Sequence, residues 1–71
     1  MITMNNVDSR AIKAIGYDPD TLVMYIEFMS GGTYEYDSVP GITFCNLMNS
    51  PSKGAYFHRA IEPHFKAFKI F

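Results

Sequence analysis

Two alternating segments on either side of Ser30-Gly31-Gly32 constrain this chain more than any other feature in it. From Thr21 to Met29, Leu22, Met24, Ile26 and Phe28 fall on one face of an extended strand, with Val23, Tyr25 and Glu27 on the other. From Thr33 to Asp37 the pattern returns, Tyr34 and Tyr36 sharing a face opposite Glu35. The adjacent glycines supply the positive backbone angles that a tight hairpin turn needs. A helical packing period does not fit here, so the centre of the fold is an antiparallel hairpin.

The flanks extend it. Ala11 to Tyr17 is apolar enough for a strand and is closed by the turn Asp18-Pro19-Asp20. Pro40 suits the first turn of a helix, and Ile42, Phe44, Cys45, Leu47 and Met48 give that helix a broad apolar stripe. Asn49-Ser50-Pro51 stops it. A second helix is expected from Ser52 to about Glu62, since Pro63 is badly placed for a helix interior, with Phe57, Ile61 and Phe65 as its buried row. Phe65 to Phe71 is a candidate C-terminal strand. The expectation is an α+β domain: a small antiparallel β-meander of three or four strands, then two short helices. Residues 1–6 are expected to be a flexible N-terminus and residues 7–71 one domain.

With 71 residues the core is thin, about 60% of the unfolded surface being buried at this size. A single cysteine, Cys45, excludes an internal disulfide and a cysteine-based metal cage. Self-association is the remaining device, and a homo-oligomer is expected. Met1 to Arg10 holds no apolar run of the signal-peptide kind, and no stretch approaches a membrane span, so a reduced cytoplasmic setting is expected.

Net charge is −1, but it is unevenly placed. Up to Asp37, six acids (Asp8, Asp18, Asp20, Glu27, Glu35, Asp37) against Arg10 and Lys13 leave −4. Beyond it, Lys53, Arg59, Lys66 and Lys69 against Glu62 leave +3. A sequence-indifferent nucleic-acid binder presents a broad basic surface, which these counts do not supply. A compact anion held by a few donors suits them better.

Chemistry concentrates between Ser50 and Arg59. Ser52-Lys53-Gly54 precedes the second helix, where free amides attract anions. In the functional reading Gly54 lets a ligand approach the backbone, Ser52 caps or donates, and Lys53 neutralises charge. In the structural reading Ser52 is an N-cap worth about 1 kcal/mol. Arg59 could clamp a phosphate or pair with Glu62; Tyr56 and His58 lie beside it, and Tyr25 alternates away from the main apolar face. Tyr34 and Tyr36 are core residues if helices cover their face and a stacking platform if they do not. His58 and His64 have no Asp or Cys spaced to complete a metal site, and Cys45 on an apolar stripe reads as a buried thiol.

The order of short signatures resembles the KTSC domain, a module found C-terminal to lysyl-tRNA synthetases and as free-standing single-domain proteins. The residues carrying it are Val7-Asp8-Ser9 with Ile12, Ile15-Gly16-Tyr17-Asp18, Phe28 to Tyr36, Val39-Pro40, and Ser52 to Phe57. The resemblance implies a small β-meander with helices and a proposed role in RNA binding. This chain departs from the pattern at His58, where Asn is frequent, and at Glu62-Pro63, where a basic residue is common. The function expected is a non-enzymatic, oligomeric module binding a nucleotide or other phosphorylated small molecule. Its pockets would be lined by Ser52, Lys53, Gly54, Tyr56, His58 and Arg59, with tyrosines such as Tyr25 from a neighbouring subunit. Sequestration of a nucleotide signal, as by a phage anti-defence sponge, is one form this could take. Single-stranded RNA binding and a protein–protein adaptor are the alternatives; no cofactor, metal or membrane is implied.

Overall fold

The computed structural model describes residues 2–71. Five antiparallel strands form one sheet in chain order: β1 (Asn5–Asn6), β2 (Ile12–Asp18), β3 (Val23–Phe28), β4 (Thr33–Tyr36) and β5 (Ala67–Lys69). Between β4 and β5 run α1 (Gly41–Asn49) and α2 (Lys53–Tyr56), the latter continuing into a π turn, Phe57–Ile61. The architecture is the expected α+β meander with helices and a C-terminal strand. No helix among the described residues is long and apolar enough to cross a membrane.

The central hairpin has the register its alternation implies. Ile26 pairs with Tyr34 and Met24 with Tyr36, while Gly31 and Gly32 turn at φ of 99° and 90°. Ile15 and Tyr17 of β2 face Ile26 and Met24. Ile12 lies three residues before Ile15, a spacing that pure alternation would put on opposite faces. A bulge between Ile12 and Ala14 absorbs the extra residue and leaves both isoleucines fully buried.

The helices cover that face. Leu47 of α1, Phe57 and Ile61 of the π turn, and Val39 in the connection close the core over Ile12, Ile15, Met24, Ile26 and Tyr36. Tyr17 ties α1 to the sheet twice: its hydroxyl donates to the Val39 carbonyl at 2.6 Å, and its ring stacks on Phe44, centroids 4.7 Å apart.

Several expectations need correction. The segment read as a flexible N-terminus, residues 1–6, contributes a short strand: Asn5 pairs with Ile15 and Asn6 with Ala14, and the Asn5 amide donates to the Ile15 carbonyl at 3.2 Å; Met1 lies outside the described residues. Polar composition hid this strand because an edge strand is held by backbone pairing. Leu22 leaves the apolar face of β3: it closes the preceding turn at φ 61°, its amide bonded to the Asp18 carbonyl at 2.8 Å, and is exposed. On α1 only Leu47 is fully buried; Ile42 and Cys45 face solvent, because one sheet covers less of the helix than its stripe spans. The second helix is α-helical for four residues and then widens, the Phe57 carbonyl accepting from the Glu62 amide five residues on at 2.8 Å. Pro63 supplies a cause: in continuous α geometry its ring meets the carbonyl of Arg59 four residues back, and a wider turn relieves that contact.

Candidate functional site

Two clefts flank the second helix. The first forms where the segment Asp8–Ala11 meets the turn Pro51–Gly54, enclosing about 300 Å³. Each wall is shaped by a serine. The Ser9 hydroxyl accepts from the amides of Ala11 and Ile12, both at 3.3 Å, folding the chain tightly before β2. Ser50 does the same on the other side: its hydroxyl accepts from the Ser52 amide at 3.2 Å and donates to the Ser52 carbonyl at 2.9 Å. Arg10 and Lys53 line this cleft from opposite walls, with Asp8 as the one acid beside them.

Both readings of Ser52-Lys53-Gly54 change on this geometry. Ser52 stands at the N-cap position but makes no capping hydrogen bond, so the structural reading loses its physical basis. The α-helical stretch behind the turn is only Lys53–Tyr56, so the field of a helix start is small and the side-chain charges dominate. Lys53 is half-buried, its ammonium donating to the Ser50 carbonyl at 3.1 Å. Gly54 is neither left-handed nor crowded: a Cβ there would stand 3.6 Å from that of Ala11, an ordinary contact.

The second cleft, about 360 Å³, opens between the hairpin tip and the π turn. Its wall is aromatic. Phe28 meets Tyr34 and Phe57 edge-on at 5.6 and 5.3 Å, and Tyr36 meets Phe57 edge-on at 5.7 Å. At its rim His58 Nδ1 donates to the Glu62 carboxylate at 3.0 Å. The alternative reading of Arg59 as a partner of Glu62 is not met: Glu62 pairs with His58, four residues before it. Tyr34 and Tyr36 are no open platform: the helices cover their face and leave Tyr36 3% exposed.

Burial pushes the Tyr36 phenol up to about 12, and the charges of Glu62 and Tyr34 add to it. In the unfolded chain the group titrates near 10. Above that value the unfolded chain gives up a proton that the folded chain keeps, so stability is intact below pH 10 and falls from 10 to 12. The expected loss is about 1–2 kcal/mol, discounted for water in the cleft. Urea unfolding at about pH 9 and about pH 11.5 checks it. In Tyr36→Phe this component of the alkaline loss should disappear; an equal loss in both proteins refutes the assignment.

The expected site residues are thus divided. Ser52, Lys53 and Gly54 line the first cleft and His58 the second. Tyr56 and Arg59 line neither; the guanidinium lies over the Tyr56 ring, 5.4 Å from its centroid. Tyr25 is on the opposite sheet face, along a groove of about 640 Å³ with Ile2, Met4 and Phe71, and could reach the first cleft only from a second copy. Sequence reasoning missed Ser9 and Arg10, whose partners lie some forty residues away, and weighed Glu62 as a partner of Arg59 rather than of His58. Among the described residues no group of three His, Cys, Asp or Glu is placed to hold a metal.

The sequence profile of the KTSC domain matches residues 8–65. A lysine–tRNA ligase of Nostoc sp. is 49% identical over 55 residues, covering 78% of this chain but only 10% of the ligase. A protein of Tsukamurella paurometabola is 38% identical over 64 residues, 90% of this chain and 96% of that one. The crystal structure of a KTSC domain protein from Yersinia pestis superposes with a TM-score of 0.97 at 38% identity, each chain covered completely.

Proposed function

This chain belongs to the KTSC domain family, and from that premise we propose that it is a non-enzymatic binding module for a nucleotide or similar phosphorylated small molecule. One observation carries the reading: the first cleft is lined by Arg10 and Lys53, with Ser9 and Ser52, from segments distant in sequence. Two cations against Asp8 leave a small positive excess, suited to one phosphate or diphosphate rather than to a polymer. Catalysis has less support. Ser30 lines the second cleft with the His58–Glu62 pair, but no hydrogen bond joins it to His58, so the contact that activates a nucleophile is not formed.

Thermal unfolding of the full chain with pyrophosphate and with GDP tests the proposal. A ligand at a hundred times its dissociation constant stabilises by about 2.7 kcal/mol, raising the midpoint by about 10 °C or more in a domain this small. Arg10→Ala and Lys53→Ala should each weaken binding at least about tenfold, the loss of one charge-assisted contact. Arg59→Ala should bind as the wild type does. If neither probe shifts the wild type, or if Arg10→Ala and Lys53→Ala bind unchanged, the cleft is not the site.

A second reading, single-stranded RNA binding, is favoured by the lysine–tRNA ligase relatives, of which this chain spans about a tenth. It predicts binding of a short oligouridylate with affinity falling steeply as salt rises. A compact-ligand module shows a shallow salt dependence instead.

A further inference from the structure

The aromatic cleft has features that neither the core nor the phosphate reading uses. Tyr36 is buried, only 3% exposed, yet among the described residues its hydroxyl has no hydrogen-bond partner. Among the described residues no fully enclosed side-chain nitrogen or oxygen is unpaired, so this hydroxyl keeps some exposure, and Tyr36 lines the cleft. A buried tyrosine normally satisfies its hydroxyl. Here an unpaired donor belongs to a residue that lines an aromatic-walled cleft.

The opposite rim supplies acceptors. Glu62 uses one carboxylate oxygen on His58 Nδ1 and keeps the other free. Neither Lys nor Arg lines this cleft. Its chemistry is therefore unlike that of the first cleft: aromatic walls, the neutral hydroxyls of Ser30, Tyr34 and Tyr36, and a carboxylate, with no cation to recognise a phosphate.

We infer that the cleft between the hairpin tip and the π turn binds an amino-substituted, planar heterocycle of the adenine type. The ring lies against the Phe28, Tyr34 and Phe57 edges, its exocyclic amine donates to Glu62, and a ring nitrogen accepts from the Tyr36 hydroxyl. Size agrees, since about 360 Å³ admits one base but no folded polymer. The elevated titration of Tyr36 keeps its proton in place through the physiological range. The inference takes from the phosphate reading only the suggestion that the heterocycle is a base.

Adenosine is the probe, because it carries no phosphate, with purine riboside, which lacks the amine, as its comparison. Amide and aromatic resonances of the full chain are followed by NMR during titration. Adenosine should perturb Gly31, Phe57, His58 and Ala67 around the second cleft while leaving Ser9 and Gly54 unmoved. Purine riboside should bind at least about fivefold more weakly, as should Glu62→Gln and Tyr36→Phe titrated with adenosine. Glu62 is exposed, so its substitution does not threaten the fold. No perturbation by adenosine, equal affinity for the two nucleosides, or unchanged binding by Glu62→Gln each overturns the inference. Pyrophosphate binding at the first cleft stands or falls separately.

Discussion

Phe57→Ala should leave this domain at the edge of unfolding. Phe57 is the hub of the apolar core, 4% exposed and in edge-on contact with Phe28 and Tyr36 at 5.3 and 5.7 Å. Truncating a buried phenylalanine costs about 3–5 kcal/mol, combining lost transfer energy with the cavity left behind. A chain of 71 residues has total stability of about 4–11 kcal/mol at ordinary values per residue. The variant should therefore show a urea midpoint reduced by at least about a quarter, or no cooperative transition at all. Phe57→Leu retains apolar volume and should lose about 1–1.5 kcal/mol, the part belonging to aromatic geometry. A loss below about 1 kcal/mol in the alanine variant would mean that the π turn repacks without it.

Gly16→Val should have the next largest effect, and a more local one. Gly16 pairs with Tyr25 in the sheet, and valine is a good strand residue, so propensity alone predicts a benefit. The N-terminal segment reverses the sign. A Cβ at this position would lie 2.7 Å from both Ile2 Cγ2 and Met4 Sδ, and 3.1 Å from the Thr3 carbonyl oxygen. Side-chain ends can swing aside; the backbone oxygen cannot without moving residues 2–4. The expected cost is about 1–3 kcal/mol, the usual range for overpacking. Hydrogen exchange should accelerate at the amides pairing β1 with β2 and remain slow across β3 and β4. Uniform acceleration would show that β1 is integral to the global unfolding unit. No acceleration would show that the segment accommodates the methyls.

The legible parts of this chain were those whose signal is local. The alternation in Met24, Ile26 and Phe28 and the Gly31-Gly32 turn define a hairpin within fifteen residues, and that hairpin forms in register. Strand β1 is illegible for the opposite reason: Asn5 and Asn6 carry no apolar pattern and are held by backbone bonds to Ala14 and Ile15. Cys45 and Ile42 misled because a stripe on a helix shows which side can be buried, not how much of it the partner covers. The candidate site was half legible. Ser52 and Lys53 announced themselves by clustering, while Arg10, alone in a polar segment, acquires its meaning only when the fold sets Ser9 and Ala11 beside Gly54. Glu62 was weighed as a partner of Arg59 and pairs instead with His58, 3.0 Å away.

The sheet order has a consequence for how the chain is made. Strands β1 to β4 pair only with their neighbours in sequence, so the sheet they form can close from short loops as soon as Tyr36 has emerged. Its apolar face then stays bare until residues 37–66 follow, because Leu47, Phe57 and Ile61 are the residues that cover it. During translation this leaves an interval of a few seconds in which Met24, Ile26 and Tyr36 are ordered but wet, and β4 is an unpaired edge. Strand β5 ends that interval by pairing Ala67 with Tyr36. Vectorial synthesis therefore makes the last strand a latch on an already formed sheet.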